Sequence, residues 1–377
     1  MPMSKAEFSI RENLVRAGCA VLFGAATFSV HAFTVSDLEL APGFSIAVFT
    51  SEVPNARQMA LSPSGILFVG TRSRGVVYAV VDRNGDFVAD EVHIIAKDLY
   101  MPSGIAFRDG SLFIAEVHRI LRFDNIEDQL EHPPSPVVVY DALPTQSHHG
   151  WKFIAFGPDG RLYVPVGSPC NICTVTPPFG TILRMLPDGT EVEVYASGIR
   201  NSVGFDWHPV SLELWFSDNG ADMMGDDLPP CELNRAPHAG LHFGFPYFHA
   251  GDIADPDFGS GREARDFTPP AKALGAHVTP LGIDFYDGHQ FPSAYRHALF
   301  VAEHGSWNRS RKVGYRVMVA RISKAGRVID YEPFITGWLK GQAHWGRPVD
   351  FEVMADGSML ISDDHAGAVY RVSFGGP

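Results

Sequence analysis

Hydrophobic positions along this 377-residue chain fall in short continuous runs instead of a helical stripe. Two clear runs, residues 66–69 and 76–81, are rich in β-branched and aromatic side chains and are bounded by turn residues. Beyond the N-terminus, no stretch repeats its apolar positions every 3.6 residues or so, which argues against long helices. Strict alternation of apolar and polar positions is also scarce, so the runs predict strands that are covered on both faces.

One sequence module recurs along the chain. It consists of an apolar strand, a turn that contains glycine, a second apolar strand that ends in a polar loop, and a third strand. The copies begin near Met59, Gly104, Ile154, Val203, Leu281 and Phe351. The first four are spaced by about one four-stranded blade each, and later intervals hold insertions such as residues 250–275. Six small antiparallel sheets close most simply into an all-β, six-bladed propeller, with ligands bound where loops meet at one end of the central channel.

The charge balance narrows the set of partners. A formal net charge of −13 argues against nucleic acid or an anionic membrane surface as the main partner. Isolated arginines are therefore interpreted as local site residues and not as parts of a basic face. A hydrophobic content of 45% is ample for a folded core.

The N-terminus has the pattern of a secretory signal. Basic residues precede an apolar stretch over residues 17–30, and a small-residue cleavage motif ends at Ala32. This predicts a signal peptide over 1–32 and a single exported propeller domain over 33–377, most simply in a bacterial periplasm. A retained anchor is the alternative, but the apolar stretch is short for a bilayer span, so we expect no stable membrane insertion.

Three cysteines remain after the predicted cleavage. Cys170 and Cys173 have C-x-x-C spacing, and in an exported protein this spacing favours a local disulfide. Zinc would need two further ligands with matching spacing, and a thioredoxin-like redox role would need a βαβ pattern around the motif. Cys231 is then an unpaired buried thiol.

Polar loops between the predicted strands carry the candidate chemistry. His148 and His149 lie on the loop before a strand-turn-strand signature, and histidine can accept a proton near neutral pH. Later loops carry Arg200, Arg309 and Arg347. If these loops converge, they form a pocket with one base and several cations, which suits a polyanionic ligand and proton abstraction.

An acidic cluster offers the oxygen ligands that calcium prefers, or else forms a solvated loop. Its members are Asp218, Asp222, Asp226, Asp227 and Glu232. Among these, Asp226, Asp227 and Glu232 are predicted metal ligands.

Taken in order, five segments make the chain resemble the soluble sugar dehydrogenases that use pyrroloquinoline quinone (PQQ), most closely the sorbosone dehydrogenase branch. They are His-His-Gly-Trp-Lys at 148–152, Gly-Ile-Arg-Asn at 198–201, the segment 300–309, Trp-Gly-Arg-Pro-Val-Asp at 345–350 and Ser-Asp-Asp at 362–364. The resemblance covers essentially the whole chain after the leader. It implies oxidation of an aldose or sugar aldehyde, with PQQ and Ca²⁺ as cofactors. It also implies a small-molecule sugar as substrate and an external electron acceptor, a quinone or a cytochrome, which the sequence does not name.

The same resemblance assigns roles to individual residues. His149 matches the general base, with Arg200 beside the reactive quinone carbonyl as its catalytic partner. The matching cofactor-binding positions are Arg200, Asn201, Thr279 and Arg347, and Arg309 is assigned to cofactor binding as the replacement of a cation that the family has nearby. Gly220 and Ala221 match the residues whose backbone carbonyls hold the calcium.

Two positions depart from the family pattern. Gly167-Ser168 stands where the family often has an aspartate that orients the base, and Val203 stands where the glucose enzyme has glutamine. We therefore do not predict glucose as the substrate. The alternative functions are a calcium-dependent propeller lactonase, which would need acidic ligands on the axis, and a non-enzymatic binding propeller.

Overall fold

The computed structural model describes residues 34–375. The predicted signal peptide, residues 1–32, lies outside the described residues. In the part of the chain that is described, no helix has the length and apolar character needed to cross a membrane.

Six antiparallel sheets form the blades of a propeller, which confirms the predicted fold class. Two strands precede the blades, β1 (Glu39–Leu40) and β2 (Phe44–Thr50). The first three blades follow in chain order: blade I has β3 (Ala56–Leu61), β4 (Leu67–Thr71), β5 (Val77–Val81) and β6 (Glu91–Ala96); blade II has β7 (Gly104–Arg108), β8 (Ser111–Ala115), β9 (Ile120–Phe123) and β10 (Val137–Tyr140); blade III has β11 (Ala155–Phe156), β12 (Leu162–Val166), β13 (Thr181–Met185) and β14 (Glu193–Ser197).

The later blades contain the insertions. Blade IV has β15 (Phe205–Trp207), β16 (Leu214–Asp218), β17 (Pro230–Ala236) and β21 (Lys272–Ala276). The insertion between β17 and β21 contains β18 (Leu241–His242), which pairs parallel with β14 of blade III, and the pair β19 (Phe248–His249) and β20 (Ile253–Ala254). Blade V has β22 (Pro280–Phe285), β23 (Leu299–Glu303), β24 (Arg316–Ile322) and β25 (Val328–Thr336). A short pair, β26 (Leu339–Lys340) and β27 (Ala343–His344), follows it. Blade VI has β28 (Pro348–Val353), β29 (Met359–Asp363) and β30 (Ala368–Phe374). Within residues 34–375, four short 3₁₀ helices occur at Val35–Asp37, Ile126–Asp128, Ala264–Asp266 and Ser293–Tyr295.

The N-terminal strands close the ring. Strand β2 pairs antiparallel with β30, so blade VI is completed by residues from the opposite end of the domain. Strand β1 is added to the outer edge of blade V through β25. Because β2 and β30 come from opposite ends of the described residues, their pairing closes the circle of sheets.

Stacking between blades explains the continuous apolar runs. Strands β4 and β5 are buried at every position, because both faces of a blade pack against a neighbour. Phe68 and Val77 of blade I, for example, belong to the same core cluster as Ile105 and Ile114 of blade II. The Pro158-Asp159-Gly160 turn joins β11 to β12, with Gly160 in the left-handed region at φ +77°.

The innermost strands of all six blades surround a central channel. We call the end where these strands begin the upper face. Near that face, Val203, Leu281 and Val349 pack together against Trp151. A cavity of about 260 Å³ lies farther along the channel, lined by residues of every innermost strand.

Candidate active site

Loops on the upper face enclose a cavity of about 300 Å³. They precede the innermost strands or follow the second strands of the blades. The cavity brings together six of the residues predicted from sequence: His149, Arg200, Asn201, Thr279, Arg347 and Gly220. Positions from blades III to VI, distant in sequence, therefore face one space.

His149 is held in a single orientation. It is 8% exposed, and its Nδ1–H donates to the carbonyl oxygen of Ser168 at 2.9 Å. This bond fixes the tautomer and leaves the Nε2 lone pair for the cavity. Burial, together with the charges of Arg200 and His148, lowers the pKa of His149 to about 2. The imidazole is thus neutral and able to accept a proton.

The loop that follows β12 packs closely against His149. A Cβ on Gly167 would lie 2.6 Å from the Cβ of His149, so glycine is needed there. His149 itself has φ +50°, a left-handed conformation that is uncommon outside glycine. The Ser168 backbone carbonyl therefore orients the His149 ring, a role that an aspartate often has in the family that the sequence resembles.

Asp218, at the end of β16, organises the loop before β15. Its carboxylate accepts the backbone N–H of Arg200 at 2.8 Å and that of Asn201 at 2.6 Å. The Asn219 side chain donates to the carbonyl oxygens of Asn201 and Pro280, at 3.0 and 3.1 Å. These bonds join blades IV and V at the cavity wall and fix the backbone of Arg200.

Arg57 and Arg72 are cavity residues that sequence reasoning missed. Arg57 lies in β3, and its Nη1 contacts the Asp364 carboxylate at 2.8 Å. Arg72 stacks over the Trp151 ring at 3.9 Å. Arg57 did carry a signal, because an arginine inside an otherwise buried strand is an anomaly that calls for an anion.

His304 and Asp364 form a second imidazole–carboxylate pair at the cavity. The His304 Nε2–H donates to Asp364 at 2.8 Å, and Asp364 also pairs with Arg57. Arg347 is fixed nearby, because its Nε donates to the His304 carbonyl at 3.0 Å and its Nη2 to the Gly305 carbonyl at 2.5 Å. Burial lowers the pKa of His304 to about 4, so this ring is neutral as well.

The cavity as a whole is cationic. Its lining includes four arginines, Arg57, Arg72, Arg200 and Arg347, and one carboxylate, Asp222. Burial lowers the pKa of Arg72 and of Arg347, and the neighbouring Arg57 lowers both further. The Nε of Arg57 is buried and has no hydrogen-bond partner among the described residues. The site is therefore built to receive an anion.

Three of the five predicted metal ligands share one small space beside the main cavity. Gly220, Ala221 and Glu232 line it together with Asp218, and Gly220 lines the main cavity as well. Glu232 accepts hydrogen bonds from the Ala250 N–H and the Asn234 side chain, whereas Asp226 accepts one from the Ser310 N–H. Within residues 34–375, no group of three or more histidine, cysteine, aspartate or glutamate residues is arranged to hold a metal ion. A calcium site built on Gly220 and Ala221 would thus depend on backbone carbonyls.

Arg309 is paired with an acidic residue next to the cavity-lining segment. Its Nη2 pairs with Asp227 at 2.6 Å, and it is not among the residues that line the cavity. The Asp227 side chain is 85% exposed. The segment nonetheless contributes to the site, because Trp307 and Asn308 line the cavity.

The three cysteines of the propeller domain have different environments. A disulfide joins Cys170 and Cys173, whose Cα atoms are 6.2 Å apart. Cys231 is a buried free thiol that lines the cavity.

Comparison with known proteins places the chain in a family. It matches the glucose/sorbosone dehydrogenase family over residues 115–306, and a TrAA12-like family over residues 260–374. The chain therefore belongs to the glucose/sorbosone dehydrogenase family, which confirms the resemblance read from its motifs. An uncharacterised protein of Borreliella burgdorferi is 34% identical over 353 residues, which cover 90% of this chain and 91% of that protein.

Solved structures with the same fold are more distant in sequence. The calcium structure of a Trichoderma reesei carbohydrate-active enzyme of family AA12 has a TM-score of 0.78 at 18% identity, covering 89% of this chain and 97% of that one. The holo PQQ domain of a Coprinopsis cinerea pyranose dehydrogenase has a TM-score of 0.74 at 18% identity, with the same coverage. The PQQ-bound aldose sugar dehydrogenase of Streptomyces coelicolor has a TM-score of 0.63 at 20% identity, covering 89% and 99%.

Proposed function

We propose that this chain is a calcium-assisted quinoprotein dehydrogenase that oxidises an aldose or a sugar aldehyde such as L-sorbosone. The hydride acceptor in this proposal is pyrroloquinoline quinone. The observation that carries it is the pairing of a neutral, oriented His149 with four arginines around one cavity. Membership of the glucose/sorbosone dehydrogenase family and the cofactors of the structural neighbours support the same assignment.

The cavity residues fit a tricarboxylate cofactor. Arg57, Arg72 and Arg347 would bind its carboxylates, because guanidinium groups form charge-assisted and often bidentate bonds with them. The unpartnered, buried Nε of Arg57 is a donor that such a carboxylate would satisfy. Thr279 lines the same space.

His149 is the proposed general base. When bound, the quinone supplies the hydride acceptor, and calcium supplies positive charge beside the reactive carbonyl. The Nε2 of His149 would accept the proton of the substrate hydroxyl, while the Ser168 carbonyl keeps the ring in place through Nδ1. Arg200 and Asn201 would donate hydrogen bonds to negative charge that develops during the reaction.

Calcium would be held by backbone oxygens at Gly220 and Ala221. Calcium prefers oxygen ligands and accepts several geometries, so carbonyls together with cofactor oxygens and water can complete its shell. We further propose that the protein is exported to the periplasm, which rests on the signal-peptide pattern of residues 1–32.

The test is reconstitution of the purified protein. We expect an artificial dye to be reduced in the presence of aldoses or sugar aldehydes only after both pyrroloquinoline quinone and Ca²⁺ have been added. The substrate panel then identifies the sugar. Failure to bind micromolar quinone would contradict the proposal, and hydrolysis of lactones by the same preparation would support a propeller lactonase instead.

A further inference from the structure

One disulfide-closed loop contacts both candidate catalytic side chains. The loop follows β12 and runs through residues 167–173. The carbonyl of Ser168 accepts the Nδ1–H of His149, and its N–H donates to the carbonyl of Arg200 at 2.8 Å. The Ser168 hydroxyl donates to the Cys170 carbonyl at 2.7 Å, which ties this contact to the disulfide.

Asn171, between the two cysteines, holds the Arg200 guanidinium. Its backbone carbonyl accepts the Arg200 Nε–H at 2.9 Å, and its Oδ1 accepts from Nη2 at 2.8 Å. The same Oδ1 accepts the Asp222 N–H at 2.8 Å, and the Asn171 Nδ2 donates to the Asp222 carbonyl at 2.9 Å. A single side chain therefore joins Arg200 to the loop that follows β16.

These contacts leave Arg200 little freedom. Two further bonds go from Nη1 to the Asn219 carbonyl at 3.1 Å and from Nη2 to the Asp222 carboxylate at 3.0 Å. A guanidinium has five N–H donors, so the four bonds leave one Nη1 donor for a ligand. Because Arg200 is 4% exposed, that donor has a fixed direction within the cavity.

We propose that Asn171, presented by the Cys170–Cys173 disulfide, is a positioning residue for Arg200. Its function is to aim the remaining guanidinium donor at the cofactor beside which Arg200 acts. This inference rests on the proposed quinoprotein function. It gives the C-x-x-C motif a role in site geometry, through the one asparagine that the motif encloses.

The test compares four forms of the calcium-loaded protein: wild type, Asn171→Ala, the double variant Cys170→Ser with Cys173→Ser, and the control Asn84→Ala. Asn84 also bridges a loop through its amide, since its Oδ1 accepts the Asp86 N–H at 2.8 Å, but it lies outside the cavity. The measurements are the dissociation constant of pyrroloquinoline quinone, kcat and KM for the sugar, and the melting temperature without quinone.

We expect Asn171→Ala to weaken quinone binding and to lower kcat by about tenfold each, the usual effect of losing a hydrogen bond to a charged group. The KM for the sugar should change much less, and the melting temperature without quinone should stay near that of Asn84→Ala. The double cysteine variant should change the same quantities in the same direction by a smaller factor, because Asn171 is retained but less constrained.

Wild-type kcat and quinone affinity in Asn171→Ala would overturn the inference, and so would a loss that merely follows a lower melting temperature. If Asn171→Ala does not fold, the double cysteine variant decides by the same criteria. Failure of wild type to bind quinone would instead overturn the proposed function, and this inference with it.

Discussion

At the scale of single residues, His149, the proposed base, depends on its backbone surroundings more than on a side-chain partner. The Ser168 carbonyl cannot donate a proton, so the hydrogen between it and His149 must belong to Nδ1. A carbonyl carries no full charge, and burial therefore lowers the pKa of His149 without an opposing carboxylate. The result is a neutral ring with its free nitrogen toward the cationic cavity.

His149→Ala should lower kcat by at least about a hundredfold, the range expected for a general base. His148→Ala is the matched control, since His148 is exposed although its ring centroid is 4.0 Å from that of His149. Dye-linked kcat and quinone affinity are measured for both variants. If His148→Ala lost as much activity as His149→Ala, the assignment of the base would be wrong.

Thr279 occupies a strained conformation at the cavity. Its φ of +56° is a left-handed value that β-branched residues rarely adopt, at a cost on the order of 1–3 kcal/mol. Thr279→Gly should therefore raise the melting temperature of the quinone-free protein while it weakens quinone binding. Differential scanning calorimetry and a quinone titration check the two effects. A less stable variant with unchanged affinity would contradict this account.

At the scale of elements, the closing strand β2 is attached through aromatic packing as well as its ladder to β30. Phe44 begins this strand, and its ring contacts four other aromatic rings edge-on. The centroid distances are 4.8 Å to Phe291, 5.1 Å to Tyr295, 4.8 Å to Phe334 and 5.0 Å to Phe374. One side chain thus joins the N-terminal strand to blade V and to the last strand of blade VI.

Phe44→Ala should lower the free energy of unfolding by roughly 3 kcal/mol, through lost burial and the cavity left among these rings. Val48→Ala, on the same strand but 38% exposed, should change it by less than about 0.5 kcal/mol. Urea denaturation measures both. Equal effects of the two substitutions would show that the backbone ladder, and not the aromatic cluster, secures the closing strand.

The elements that sequence reasoning predicts well are those with local signals. All six module starts fall in innermost strands or within two residues of them, and in five of the six a glycine turn follows the strand; the module that starts near Val203 has no glycine between β15 and β16. The pairing of β2 with β30 has no such signal, since it joins opposite ends of the domain. The orienting carbonyl of Ser168 is invisible for a different reason: every residue has a carbonyl. Arg72 was likewise missed, because an isolated loop arginine looks like any surface cation.

At the scale of the whole molecule, the channel gathers acidic residues from three blades, of which Asp350 is buried and the others are half-buried. Asp206, Asp284, Asp350 and Glu352 line its cavity, and neither lysine nor arginine appears among the described residues that line it. Burial raises the pKa of Asp206 and of Asp350 to about 7, and it raises those of Asp284 and Glu352 well above their ordinary range. The Oδ1 of Asp284 is buried without a hydrogen-bond partner in the described chain.

These raised pKa values predict that the propeller loses stability in mild alkali. These carboxyls have a pKa of about 4 in the unfolded chain and near 7 or above in the folded state, so between those values the folded state binds more protons. The stability that the bound protons contribute is therefore full below about pH 4 and declines as pH rises through the folded pKa values.

Asp284→Asn removes a charge that would face Asp206, Asp350, Glu352 and Asp287. At pH 8.5 the variant should therefore melt at least about 2 °C above wild type, with a smaller difference at pH 5. Asp109→Asn, on an exposed turn, is the control and should follow wild type at both pH values. If Asp284→Asn melted below wild type at pH 8.5, the ionised carboxylate would be stabilising, and a cation bound in the channel would explain it better than shared protons.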